Sequence, residues 1–295
     1  MASLGADSGC PMYTTRMRAA SLLDSLPAAF ATAQYRDLAG ITTSSASRAL
    51  RHLAERGLVQ SAGRGWWCRS RSGVKPAEVL LGTPAGMWTP DLECLLDALF
   101  GAGDRRIAYL SALDAAGIPL TFPLTVATST RARERAATVG IRHVREPAKA
   151  IHSGVRRFTE RTLVSEPQRA LLECAQFPNH APRCEEYIGY AVCWGGPEFS
   201  PDAVRALGVE LGWWAGMRRI SSIADGLSQS KVTSDIGVSP ERGWAELMSA
   251  ARRGDRWINV NSRNAPRYAG TNWSDAARRV HWWTNPNALA HQIVG

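Results

Sequence analysis

The sequence predicts a mixed α+β chain in which a small amino-terminal helical unit closed by a hairpin is followed by a larger α/β domain. Three observations predict it. Residues 41–57 show a helical apolar period between a capping residue and a glycine stop. The next run reads as a tight hairpin, and from residue 105 onward helical and alternating segments intermix. The chain has 295 residues, 45% of them apolar, which is enough for more than one core. Composition sets the boundaries at 1–75, 76–104 and 105–295: residues 70–91 shift to Ser, Gly and Pro, the chemistry of a connection, and Asp91 then opens a connecting helix through Leu92, Leu95, Leu96, Leu99 and Phe100.

Taken in order, residues 1–12 read as a loose Gly, Ser and Ala leader. Met17 to Leu23 read as a first helix that Pro27 stops. Ala29–Thr32 suits a short strand pairing with the hairpin, and Gln34–Ala39 a brief second helix ended by Gly40. The third helix starts with Thr42 or Thr43 as cap. Ala46, Ala49, Leu50, Leu53 and Ala54 fall on one side of it, and Ser44, Ser45, Ser47, Arg48, Arg51 and His52 on the other. Gly57 is its left-handed stop. Leu58–Ser61 and Trp66–Arg69 are then strands joined by the Ala62-Gly63-Arg64-Gly65 turn. The expected core is Leu22, Leu26, Phe30, Tyr35, Leu38, Ile41, Leu50, Leu53, Leu58 and Val59. Of the neighbours Trp66 and Trp67, one faces that core and the other faces outward.

Two helices over a tight turn and a basic hairpin make a winged helix-turn-helix. Serine hydroxyls and arginine forks suit phosphate oxygens and the acceptor edge of guanine, and a first turn without acid leaves the positive helix end open to a phosphate. The candidate contacts to double-stranded DNA are therefore Thr43, Ser44, Ser45, Ser47, Arg48, Arg51 and His52, with Arg64 at the hairpin tip and Arg69 on its second strand. The plainer alternative is an amphipathic helix packed on a hairpin with its polar side merely in water.

Charge distribution favours the first reading. The net charge is +9, and residues 1–75 hold 10 Lys+Arg against 4 Asp+Glu, while residues 131–161 hold 9 against 3. The rest of the chain is slightly acidic, so the excess is concentrated as footprints. In the second region Arg131, Arg133, Arg142, Arg145, Arg156 and Arg157 are expected to form one positive surface. There Ile141–Arg145 and Gly154–Phe158 alternate as strands with one wet face, next to a strand at Leu124–Thr128.

Six scattered cysteines without a CxxC or a signal peptide point to reduced thiols in a cytoplasmic protein, and no apolar run reaches the roughly 20 residues of a membrane span. Cys174, His180, Cys184 and Cys193 lie close in sequence, yet their spacing fits no zinc knuckle, so no metal and no cofactor is expected. Acid-x-Lys, GxxxxGK[ST], HExxH and GxSxG are all missing, which argues against an enzyme.

Ile107–Gly117 reads as a helix ending at glycine, and Glu166–Ala175 as one with proline in its first turn and Ala170, Leu171 and Cys174 inward. Met217, Ile220, Ile223, Ala224 and Leu227 share a helical face, as do Trp244, Leu247, Met248 and Ala251. Trp257–Asn261 and Val280–Trp283 read as strands whose aromatics belong to a core; an exposed pair of tryptophans would instead mark an interface.

The passage Arg161-Thr-Leu-Val-Ser-Glu-Pro-Gln-Arg-Ala-Leu-Leu-Glu173, with Ala108-Tyr-Leu-Ser-Ala-Leu-Asp-Ala-Ala-Gly117 and the amino-terminal winged helix, resembles the AbiEi group of bacterial antitoxins. That resemblance implies a repressor of its own promoter whose larger domain counteracts a nucleotidyltransferase-like toxin from an adjacent gene. It carries over Thr43, Ser44, Ser45, Ser47, Arg48 and Arg51 as DNA contacts with Arg64 in the wing, and no catalytic residue. A second copy of the chain is expected if the operator is an inverted repeat. The competing reading is a one-component winged-helix regulator whose carboxy-terminal domain senses a small ligand.

Overall fold

The computed structural model describes residues 21–27, 29–63, 65–69, 96–97, 99–100, 105–118, 124–129, 141–260, 273–282 and 284–294. Helix and strand are mixed throughout, and the chain divides into two units, residues 1–103 with 132–141 and residues 104–131 with 142–295. No helix among the described residues is long and apolar enough to cross a membrane.

In the first unit a helical turn at 21–24 precedes β1 (Ala29–Ala31), which runs straight into α1 (Thr32–Ala39). Gly40-Ile41-Thr42 joins α1 to α2 (Thr43–Glu55), and β2 (Val59–Gly63) and β3 (Trp66–Arg69) follow as a hairpin. The sheet order is β1-β3-β2 with both pairings antiparallel, Phe30 opposite Trp67 and Gln60 opposite Cys68. Glycine makes the tight turn after α1 feasible. Gly40 takes φ +64°, and the N–H groups of Gly40 and Ile41 donate to the carbonyls of Asp37 and Arg36 at 3.4 and 3.2 Å.

The apolar side of α2 closes the core of this unit. Phe30, Ala46 and Leu50 are fully buried with Leu23, Leu26, Tyr35, Leu53 and Val59, and Leu22, Leu58 and Trp67 pack against them. Two expected members are absent: Leu38 and Ile41 are 44% and 37% exposed. The inward stripe of α1 runs through Thr32, Tyr35 and Ala39, and Leu38 lies about 100° round the helix from Ala39. Ile41 lies in the turn, held by its backbone while its side chain faces water.

The second unit is built on a five-stranded mixed sheet ordered β6-β5-β4-β8-β7. Its central strand β4 (Arg105–Ile107) is parallel to β8 (Leu163–Ser165) and antiparallel to β5 (Leu124–Thr128), while β7 (Val155–Arg157) is antiparallel to β8. β6 (Ile141–Arg145) forms the other edge. Ile107, expected to begin a helix, is instead the last residue of β4, and α3 (Leu110–Asp114) starts after Tyr109. A short apolar run has no period of its own, and burial within the sheet decides it here. β6 also departs from the single wet face expected of it. Ile141 and Val144 point to opposite faces and both are buried.

After α4 (Ala148–Ile151), α5 (Pro167–Gln176) begins at its proline and turns Ala170, Leu171 and Cys174 inward. It also buries Arg169 and Glu173 completely. These belong to an ionic core with Arg106 of β4 and Glu146. Glu173 accepts from Arg106 Nη1 and, at 2.7 Å, from Arg169 Nε; Glu146 Oε2 accepts from Arg106 Nη2 at 2.5 Å and Arg169 Nη2 at 3.0 Å. The Ser165 hydroxyl and the backbone N–H of Tyr109 also reach Glu173, the latter at 2.9 Å. Tyr109 itself is held at φ +57°, ψ −135°, a strained conformation for a side-chain-bearing residue that persists because this network over-determines it. Burial pulls against the Glu173 carboxylate, yet Arg106 and Arg169 keep its pKa below the usual carboxyl value. At Glu146, burial and the neighbouring Glu173 prevail and the pKa is raised.

The remaining helices are α6 (Cys184–Trp194), α7 (Pro201–Leu211), α8 (Trp214–Ser228), α9 (Lys231–Asp235), α10 (Arg242–Ala245) and α11 (Pro286–Val294). α8 buries Met217, Ile220, Ile223, Ala224 and Leu227 as expected, and approaches α5 closely at Gly216, where an added methyl would lie 3.0 Å from Leu172. A second sheet, ordered β10-β11-β9, comprises β9 (Ile258–Asn259), β10 (Trp273–Asp275) and β11 (Val280–Trp282). Arg218 and Arg278 brace it to α8. Arg218 Nε donates to the Arg278 carbonyl at 2.7 Å, and Arg278 pairs with Asp275 and Asp225 at 2.8 and 3.2 Å.

Candidate nucleic-acid interface

The α2 helix owes its start to Thr42, whose Oγ1 accepts the Ser45 backbone N–H at 3.3 Å and shares hydrogen bonds with the Ser44 and Ser45 hydroxyls at 3.0 Å. No acid occupies the first turn. At the other end Gly57, at φ +69°, donates to the Ala54 carbonyl at 2.9 Å while Leu58 donates to Leu53 at 3.0 Å, the paired pattern of a Schellman stop. Thr42→Ala is expected to cost about 1 kcal/mol of stability, read in urea unfolding, since it removes a capping acceptor.

Between these ends Thr43, Ser44, Ser45, Arg48, Arg51 and His52 are exposed and Ser47 is half-buried. Arg48 is the centre of this face, because Ser44, Ser45, Arg51 and His52 stand three or four residues from it and so adjoin it. Ser45, Arg48, Arg51, His52 and Glu55 border one open hollow. Arg51 Nε donates to the Ser47 carbonyl at 3.2 Å, and His52 faces Glu55 at 3.4 Å, which confines the only carboxylate on α2 to its last turn. Two adjacent arginines on one helix face repel by about 0.2–0.5 kcal/mol, so the pairing of Arg48 and Arg51 does nothing for the helix itself.

The hairpin is anchored by a residue that sequence reasoning missed. Thr32 donates its backbone N–H to the Gly65 carbonyl at 2.6 Å and its hydroxyl to the same oxygen at 3.1 Å, and it accepts from Trp67 Nε1 at 3.0 Å. The start of α1 is thereby tied to the hairpin turn. A threonine at a strand-to-helix junction was the available signal. Trp67 faces the core, and Trp66 is only half-buried and lies outside that cluster. Thr32→Val should cost about 1–2 kcal/mol, because the indole N–H loses its acceptor, and should change the near-UV dichroism of Trp67. Arg69 lies opposite Val59, about 10 Å along the strand from the turn, and faces Asp24 at 3.9 Å. It therefore belongs to the base of the hairpin. Arg64 lies outside the described residues.

The second basic region does not assemble as expected. Arg142 and Arg145 lie on edge strand β6 and Arg156 and Arg157 on the opposite edge strand β7, about 19 Å apart across the sheet. Within each strand the alternation of side chains sends the two arginines to opposite faces, and Arg142 is taken by the His180 carbonyl at 2.7 Å. These four do not form one surface; Arg131 and Arg133 lie outside the described residues. Of the four zinc candidates, Cys174 and Cys184 are fully buried thiols whose pKa burial pushes well up, and His180 packs edge-on against Tyr109. No cluster of His, Cys, Asp and Glu among the described residues has the makings of a metal site.

No known family model matches the chain, and no curated protein is similar to it in sequence.

Proposed function

We propose that the chain is a sequence-specific DNA-binding repressor in which α2 enters a major groove and the β2–β3 hairpin acts as a wing. One observation carries this reading: an exposed serine and arginine face, centred on Arg48, lies on the second helix of a pair joined by a three-residue turn and backed by an antiparallel hairpin. Two adjoining arginines beside an acid-free amino terminus suit a polyanion. The resemblance to AbiEi antitoxins extends the proposal. The repressor would act on its own promoter as the antitoxin of a pair, with a nucleotidyltransferase-like toxin encoded next to it, in the cytoplasm and without catalysis of its own.

Gel shifts on the DNA upstream of the gene test the first part, with binding expected at nanomolar concentration and lost to a scrambled sequence of equal length. Co-expression with the adjacent gene tests the second, with rescue of growth expected; a neighbour that is harmless alone removes the antitoxin role and leaves the repressor. A specific feature favours a ligand-sensing regulator as the second reading: an open cleft of about 550 Å³ in the second unit, bordered by Val192, Cys193, Phe199, Asp202, Glu241 and Trp244. That reading requires a metabolite that changes DNA affinity, and no partner protein.

A further inference from the structure

We infer that the outer face of the β10-β11-β9 sheet is a docking platform for single-stranded nucleic acid, separate from the α2 helix. Strand register sets the platform. Ser274 pairs with His281 and His281 with Asn259, so these three share one face, and Trp257, two residues before Asn259, projects from the same face. The row is continuous: Ser274 Oγ meets His281 Nδ1 at 2.9 Å, and the His281 ring lies flat on Trp257, centroids 4.2 Å apart and planes 16° from parallel. His281 is exposed and Trp257 is 46% exposed, the second-largest exposure among the large apolar residues of the described chain. The other aromatics of this sheet are used differently. Trp282 is buried, with its Nε1 donating to Ser222 at 3.0 Å, and Trp273 stands edge-on to it.

Exposed cationic residues immediately precede Trp257 in the chain. Arg252, Arg253 and Arg256 are all exposed, and among the described residues no carboxylate pairs with the guanidinium of Arg253 or Arg256. Arg252 lies over the Trp214 ring at 4.3 Å. The one acid in this loop, Asp255, accepts the Arg252 backbone N–H at 2.8 Å and faces Arg218 at 3.5 Å, so its charge is spent within the protein.

The loop is also held in place. Asp255 N–H closes on the Arg252 carbonyl at 3.0 Å with Gly254 at φ +87°, which sets Arg253 at the corner of the turn. The Arg256 carbonyl accepts from Arg218 Nη2 at 2.8 Å, and the backbone N–H of Ile258 donates to Arg279 at 3.0 Å. A platform ordered in advance loses little entropy on binding.

An indole stacked on one face, 46% exposed and within four residues of the exposed Arg253 and Arg256, suits an unstacked base together with its phosphates. A duplex hides its base faces, so this chemistry selects single strands. A protein partner would equally welcome a tryptophan and arginines. The parallel ring stack and the single sign of the unpaired charge favour the nucleic acid.

Fluorescence anisotropy tests this with labelled 12-mers of oligo-U RNA, oligo-dT DNA and a mixed-sequence duplex. The full chain carries Arg48→Ala and Arg51→Ala throughout, so that α2 contributes nothing and a failure of the repressor reading leaves this test intact. One or both single strands should bind at low salt, and the ratio of the two affinities shows whether RNA or DNA is the natural ligand. Adding Trp257→Ala should weaken that binding about 10-fold, and Trp257→Phe should restore most of it, since loss of one stacked base is the effect read. Arg253→Ala with Arg256→Ala, both at exposed positions, should weaken it further and flatten its salt dependence. The inference is overturned if neither strand binds, if Trp257→Ala binds as tightly as its parent, or if polyglutamate of equal length competes as well as the strands do, which would mark the patch as a dock for an acidic protein.

Discussion

Glu173→Gln is expected to destabilise the second unit by about 3–5 kcal/mol, a large fraction of the stability of a typical domain. Glu173 is fully buried and accepts from Arg106, Arg169, Ser165 and Tyr109. The glutamine cannot neutralise two guanidinium groups that remain buried with only Glu146 to face, and it gives up one of the acceptor oxygens. The expense arises from what is left behind rather than from the attraction lost. Replacing Arg169 and Glu173 together by methionine should therefore cost less than Glu173→Gln alone, although Arg169 also serves the carbonyls of Ala150 and Ser153. Urea unfolding of the three proteins decides it. A Glu173→Gln midpoint equal to that of the parent would mean that water reaches this cluster.

The two buried carboxyls, Glu173 and Glu146, give the second unit a pH dependence in two opposite directions. Glu173 has a depressed pKa, so its contribution is present above the unfolded carboxyl value of about 4.3 and is lost as pH falls through the lower folded value. Glu146 has a raised pKa, so its contribution is complete below about 4.3 and is lost as pH rises through the higher folded value. As pH falls through the raised folded value of Glu146 the unit should gain stability, and as it falls further through the lowered value of Glu173 it should lose it, with the two titrating as a coupled pair. Glu146→Gln should abolish the rise and keep the fall. Urea midpoints between pH 3 and 8 for the two proteins read both limbs.

What was legible in the sequence followed the local chemistry of each element. The α2 helix announces itself by a 3.6-residue period between Thr42 and Gly57, and both ends are closed by the hydrogen bonds those residue types make. The hairpin follows from two β-rich runs around a glycine turn. The ionic core was illegible for the same reason. Arg169 and Glu173, four residues apart on a helix, have the spacing of a solvated surface pair, and only the positions of β4 and Glu146, distant in sequence, reveal that they are buried. A strand of three residues such as Arg105-Arg106-Ile107 leaves no period to detect. The failed positive surface is a related case. Arg142 and Arg157 are near in sequence, but sheet order separates their strands to opposite edges. The tryptophans divided as residue type alone could not predict: Trp282 lies inside the small sheet and Trp257 on its outer face.

Under the proposed reading of DNA by α2, its two arginines should fail in different ways. Arg51 already donates Nε to the Ser47 carbonyl, which directs its guanidinium back along the helix and leaves its terminal nitrogens for a phosphate. Arg48 makes no such bond among the described residues and stands between Ser44, Ser45 and His52, free to present its fork to a guanine edge. Arg48→Ala should therefore cost about 1–3 kcal/mol on the operator while leaving non-specific binding nearly intact, so that the ratio between operator and scrambled DNA collapses. Arg51→Ala should weaken operator and scrambled DNA alike and reduce the slope of log K against log salt by about 0.9. Lysine separates the roles again. A compact ammonium replaces a phosphate contact but not a two-pronged one, so Arg51→Lys should keep most of the affinity and Arg48→Lys should not recover the preference. Gel shifts at two salt concentrations on both DNAs resolve all four variants. If Arg48→Ala and Arg51→Ala both bind undiminished, α2 is not the reading helix.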